Sequence, residues 1–131
     1  MLNQGWVQAI IYYLVALAAG GVGLFLFQKL THFDDWKEIG KGNVAAALAS
    51  GGQILGLAVV IHAAVISNQS VLMTLMWTGI GFVMQVLGYF VFDVFTPFKN
   101  EQEIARGNVA VGAMSAIITV AVAYVVAAVI Q

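Results

Sequence analysis

Glu38-Ile39-Gly40-Lys41-Gly42-Asn43-Val44-Ala45 returns as Glu103-Ile104-Ala105-Arg106-Gly107-Asn108-Val109-Ala110, displaced by 65 positions in a chain of 131. Each copy stands between two long apolar segments. The match extends upstream, where Gly23-x-Phe25-x-Phe27 and Thr31-x-Phe33 recur as Gly88-x-Phe90-x-Phe92 and Thr96-x-Phe98. The chain reads as one unit used twice, a first hairpin over residues 1–66 and a second over 67–131. The pattern decides the architecture and leaves the activity open.

Working outward from the octapeptides, four stretches are almost free of charge: Trp6–Phe27, Val44–Ile66, Val71–Phe92 and Val109–Ile130. Each has about 22 residues, or ~33 Å of helix at ~1.5 Å per residue, enough to cross a ~30 Å hydrocarbon core. Backbone groups in lipid must be satisfied within the segment, which leaves the helix as the form these stretches take. Charged residues make up 8% of the chain and hydrophobic ones 62%, far from the ordinary soluble mix of about 25% charged. The expectation is an all-α membrane protein of four transmembrane helices, arranged as two hairpins in parallel repeat. An even number of crossings per half keeps both halves in one orientation, related by an axis along the membrane normal. No soluble domain is expected.

The charge pattern also orients the chain. Lys29, Lys37, Lys41, Lys99 and Arg106 are its five positive residues, and all lie between the first and second spans or between the third and fourth. The positive-inside rule places both octapeptide loops in the cytoplasm and both termini outside it. Six acidic residues share those loops or their edges, so they are not polybasic lipid-binding tails. A net charge of −1 gives no footing for nucleic acid. The first span is too long for a cleaved signal peptide and lacks a basic start, so it is read as a mature transmembrane helix.

Small residues spaced four apart let membrane helices approach backbone to backbone. Ala16/Gly20, Ala19/Gly23, Gly52/Gly56 and Gly112/Ala116 are such pairs, and helix packing is their expected role.

Two groups of residues are candidates for function. Within the octapeptides, Asn43 and Asn108 directly precede apolar helices, where an Asn oxygen accepts from the free N–H groups of the first turn. Gly42 and Gly107 let the chain turn into the helix. Glu38 with Lys41, and Glu103 with Arg106, have the i,i+3 spacing of neighbours on a helix. Phe33, Trp36 and Ile39 recur every third residue, as in a short amphipathic turn along the membrane surface. Two roles fit these residues: capping with surface ion pairs, or a cytoplasmic docking face built from both loops.

The second group lies within the membrane and departs from the repeat. Gln53 corresponds to Ile118, Gln85 to Gly20 and His62 to Ala127. The second and third spans are joined by the short Ser67–Ser70 link and must be antiparallel neighbours. Gln53 and Gln85 are then expected to meet at similar depth, as an interhelical hydrogen bond or as part of a polar path. His62 falls near the outer boundary, where it reaches water or headgroups, with His32 on the opposite side. Asp93 adjoins the cytoplasmic end of the third span, where it can cap, pair with Lys99 or attract a cation.

Cysteine is absent, which excludes thiol chemistry and Cys-based metal sites. No phosphate-binding glycine loop, nucleophile–base set or metal-ligand spacing is present, so neither an enzyme nor a cofactor is expected.

These residues resemble the bacterial inner-membrane family catalogued as domain of unknown function 350. The twice-used Glu-Ile-x-Lys/Arg-Gly-Asn-Val-Ala, the Gly-x-Phe-x-Phe before each loop and the duplicated hairpin plan carry the resemblance. The second half departs from the first where Met114 and Ile117 replace Ala49 and Gly52. The resemblance implies an inner-membrane location and a role in membrane homeostasis or stress response, and it supplies no catalytic residues. The expected protein is a non-enzymatic homo-oligomer in the lipid bilayer, presenting its loops to a membrane-organising protein partner. The alternative is a small oligomeric channel or transporter with a polar path through the second and third spans.

Overall fold

Among the described residues of the computed structural model six helices follow one another: α1 (Gly5–Leu30), α2 (Asp35–Gly40), α3 (Val44–Ser67), α4 (Val71–Phe95), α5 (Asn100–Ala105) and α6 (Val109–Ile130). The structure describes residues 5–30, 35–68 and 70–131, and no strand occurs among them. The expected positions of His32 and Phe33, and Gln69 of the short link, lie outside the described residues. α1, α3, α4 and α6 are long and apolar enough to cross a membrane. Shifted by the 65 positions of the sequence match, α2 falls on α5 residue for residue.

α1 and α4 run past the apolar limits at Phe27 and Phe92, to Leu30 and Phe95. Gln28, Lys29 and Asp93 end the hydrocarbon segment but not the helix, since polar residues prolong a helix freely once it emerges from lipid. What stops α4 is Pro97, which holds the preceding Thr96 in extended conformation (φ −83°, ψ 131°). Thr96 Oγ1 donates to Phe92 O at 2.7 Å and satisfies one of the last carbonyls. At the far end, Asn68 Nδ2 donates to Ala64 O (2.8 Å), and Ser70 Oγ accepts from Met73 N (3.1 Å) to open α4.

α3 and α6 form the most extensive helix pair, α4 packs on both, and α1 packs on α3 and α4. The α3–α6 contact is made backbone to backbone. Gly112 presses on the Ala45 main chain, and a Cβ at Gly52 would lie 2.5 Å from Ala116 Cα. These are the small-residue positions read from the sequence, now paired across one interface. Toward the far end the bundle closes around Val60, Ala63, Ala64, Ala123, Val126, Ala127 and Ile130. Near the octapeptides a second cluster joins Ala45, Ala46, Ala49, Ile104 and Val111, with Ile39 against it.

α1 is held differently. Its buried residues are Gly23, seated on the Phe82 ring, and Phe27, edge-on to Tyr89 at 5.8 Å. Beside it run two apolar grooves. One of about 680 Å³ lies against α4, and one of about 590 Å³ lies against α3 and takes in Ala16, Gly20 and His62.

Candidate functional site

Each octapeptide folds as a join between a short helix and a long one. Gly42 (φ +87°) and Gly107 (φ +85°) take the left-handed conformation that glycine adopts without steric cost. Gly42 N donates to Ile39 O (2.9 Å) and Asn43 N to Glu38 O (3.1 Å). In the second copy Gly107 N donates to Ile104 O (3.0 Å) and Asn108 N to Glu103 O (3.0 Å). This double bond pattern is the Schellman close of a helix C-terminus. The same asparagine then opens the next helix: Asn43 Oδ1 accepts from Ala46 N at 3.1 Å, and Asn108 Oδ1 from Val111 N at 3.4 Å. One residue ends α2 and begins α3, and its counterpart ends α5 and begins α6.

The glutamates serve these joins. Glu38 accepts from Asn43 Nδ2 (3.3 Å) and Glu103 from Asn108 Nδ2 (3.0 Å). Each also pairs with the basic residue three positions on, Lys41 at 3.7 Å and Arg106 at 3.1 Å. Lys41 and Arg106 remain 62% and 71% exposed, so these ion pairs are solvent-screened and contribute little to stability. The two joins differ in reach. Asn43 Nδ2 also donates to Ile104 O at 2.8 Å and Ala105 O at 3.3 Å, tying the start of α3 to the end of α5. Trp36 of α2 stands 63% exposed at the same end of the bundle.

Inside the bundle the expected meeting of Gln53 with Gln85 does not occur. Gln85 Nε2 donates to Thr119 O on α6 at 2.8 Å, and both Gln53 Oε1 and Gln85 Oε1 are buried without a partner. The rotation of each helix decides the partner. Gln85 is turned into the seam among α3, α4 and α6, where Gly56 gives it room: a Cβ there would lie 2.9 Å from Gln85 Nε2. Gln53, Ser50, Ser115 and Thr119 are buried too, so the middle of the bundle carries a polar lining. An unpaired buried acceptor costs on the order of 1–3 kcal/mol.

Asp93 is exposed, and its Oδ1 accepts from Asn100 Nδ2 at 3.0 Å, while no ion pair with Lys99 forms among the described residues. Lys99 directly precedes α5 and Asn100 begins it, so the helix turns the amide rather than the ammonium toward α4. Asn100 is 1% exposed and its Oδ1 has no partner. Sequence reasoning passed over Asn100 and Thr119. A signal for the first was a carboxamide seven positions after Asp93 across a proline turn; nothing in the pattern of α6 marked the second. His62 is exposed on α3 beside the groove next to α1. Among the described residues no three His, Cys, Asp or Glu side chains are placed to hold a metal ion.

Four membrane-length helices, two capped joins at one end and a polar mid-span define an all-α polytopic membrane protein. The chain belongs to the family described as Domain of Unknown Function (DUF350), which matches residues 1–130. It is 42% identical over 123 residues to the UPF0719 transmembrane protein YshE of Bacillus subtilis (strain 168), covering 93% of this chain and 92% of that one. It is also 31% identical over 101 residues to the UPF0719 inner membrane protein YjfL of Escherichia coli (strain K12), covering 77% of this chain and 76% of the relative. No solved structure matches the chain at a significant level.

Proposed function

We propose that the protein is a non-enzymatic scaffold of the inner membrane. In this reading it assembles as a homo-oligomer, acts in membrane homeostasis or stress response, and offers its octapeptide end to a membrane-organising protein in the cytoplasm. The observation that carries the reading is the bond from Asn43 to Ile104 O, which braces the two joins into one face while Lys41 and Arg106 stay exposed on it. All five positive charges lie at or beside that face, which supports a cytoplasmic orientation with both termini outside. Photo-crosslinkers at Trp36, Lys41 and Arg106 are expected to capture the same partner in cells, with lipid-facing Val125 as control. The Lys41→Glu/Arg106→Glu variant is expected to lose that partner while staying folded. An unchanged crosslinking pattern in this variant would remove the docking face from consideration.

A second reading, a small oligomeric channel or transporter with a polar path at α3 and α4, draws on the unpaired oxygens of Gln53 and Gln85. Selective ion flux from liposomes that disappears in Gln53→Leu/Gln85→Leu would favour it over the scaffold.

A further inference from the structure

Three buried carboxamides share one chemical condition. Gln53 Oε1, Gln85 Oε1 and Asn100 Oδ1 are the buried side-chain polar atoms without a hydrogen-bond partner among the described residues. Asn100 and Gln85 each donate one amide hydrogen, the first to Asp93 and the second to Thr119 O. Three oxygens remain that no donor of the described residues reaches. The group that completes them must bring donors.

Their placement is one-sided. Asn100 begins α5 at the octapeptide end, beside the exposed Asp93. Gln53 and Gln85 lie about 15 Å further in, counting ~1.5 Å per residue from Val44 and Phe95. Buried Ser50, Ser115 and Thr119 accompany them. Past this level α3 and α6 meet through apolar residues, with Val60 pressed against Gly81 and packed with Ala123, Val126 and Ile130, while the buried polar residues there are Thr74 and Thr78 of α4. The buried carboxamides thus all lie in the octapeptide half of the bundle, alongside the apolar cluster of Ala45, Ala46, Ala49, Ile104 and Val111, and the far half holds none among the described residues.

We propose that the bundle binds internal water at these carboxamides, entering from the octapeptide end, reaching Gln85 and stopping at the Val60–Val126 plug. Water is the occupant that fits. It brings the donors, a polar lining of two to four partners suffices to hold it, and folded proteins commonly retain such molecules at unpaired buried groups. A bare divalent cation demands carboxylates, and neither Gln53 nor Gln85 has one among its buried polar neighbours. The inference stands apart from the docking face, because it needs no partner protein, and it would give a conducting form only half of a path.

The test is magic-angle-spinning NMR of the full chain in lipid vesicles, with nitrogen-15 in its Asn and Gln side chains and backbone, reading magnetisation transfer from water. The side-chain amides of Gln53, Gln85 and Asn100 are expected to receive transfer as the loop residues Asn43 and Asn108 do, with none at the backbone of Val60, Ala64 or Val126. Gln85→Met should abolish transfer to the backbone of Thr119. Gln53→Met, which leaves the Gln85–Thr119 bond in place, should weaken transfer near Ser50 and serves if the first variant does not fold. Dry Gln53 and Gln85 signals in the folded wild-type protein would overturn the proposal. So would side-chain shifts that follow exchange of potassium for N-methylglucamine, which would make the occupant a cation, or equal transfer at Val60, which would abolish the plug.

Discussion

The two octapeptide joins have nearly the same sequence and the same local structure, yet they are held differently by the rest of the molecule. Both close a short helix through a left-handed glycine and open a long one through an asparagine. Asn43 continues across the bundle to the carbonyls of Ile104 and Ala105, while the Asn108 amide goes to Glu103 of its own join. The difference comes from where the short helices lie. α5 packs on α3 as well as α6, with Ile104 buried among Ala45, Ala46 and Ala49, whereas the main packing of α2 is on α3. Spacing alone dictates the turn and the cap; which side chain reaches across depends on what folds against it.

The largest break in this comparison is expected at Gly112. It sits one turn into α6 against the main chain of Ala45 in the first turn of α3, so it brings the two joins together. Its counterpart in the first half, Ala47, is exposed. Gly112→Ala puts a methyl group into backbone that cannot yield locally, and should lower stability by about 3 kcal/mol in denaturant-titrated unfolding from micelles. Ala47→Ser should stay within about 0.5 kcal/mol.

A smaller contrast separates the asparagines. Asn108→Ala removes a helix cap and should cost about 1 kcal/mol. Asn43→Ala removes a cap and the bond to α5 together, and should cost about 2 kcal/mol in the same unfolding measurement. Equal losses would mean that the bridge from Asn43 contributes nothing.

The glycines sharpen the comparison from the other side. Gly42→Ala and Gly107→Ala should each cost about 1–2 kcal/mol, because both place a Cβ at positive φ. The two losses should match, since the strain is local. At the small end, Lys41→Ala and Arg106→Ala should each shift stability by no more than about 0.5 kcal/mol, as expected for exposed ion pairs. A large loss in either would show that the octapeptide face is tied by charge rather than by the asparagines.

Much of this fold is legible in the sequence because membrane spans and helix joins are written in local terms. The apolar stretches mark α1, α3, α4 and α6, and the Gly-Asn pair marks where α3 and α6 begin. The error at Gln53 and Gln85 shows where local terms end. Counting residues gives the depth of a side chain in the membrane, but not which of two neighbouring helices it faces. On α4 the apolar residues leave little periodic contrast, so the sequence does not reveal that Gln85 is turned to Thr119. α1 poses the same difficulty more strongly: it is apolar on every side, and its seating on Phe82 and Tyr89 carries no periodic signal. Asn100 escaped for another reason. It stands in a segment read as loop, and it becomes a buried group only when α5 forms and turns it inward.

An asparagine that bonds back to one helix and caps the next ties the two together across only three residues. α2 with α3, and α5 with α6, each make a bent lever with a fixed elbow. A force that tilts a short arm at the surface is passed to the long arm through an elbow of three hydrogen-bonded residues, 41–43 or 106–108. Because Asn43 fastens one elbow to the tip of the other short arm, tilting α5 also strains α3. A protein that grips this end would therefore turn the membrane-crossing helices with it.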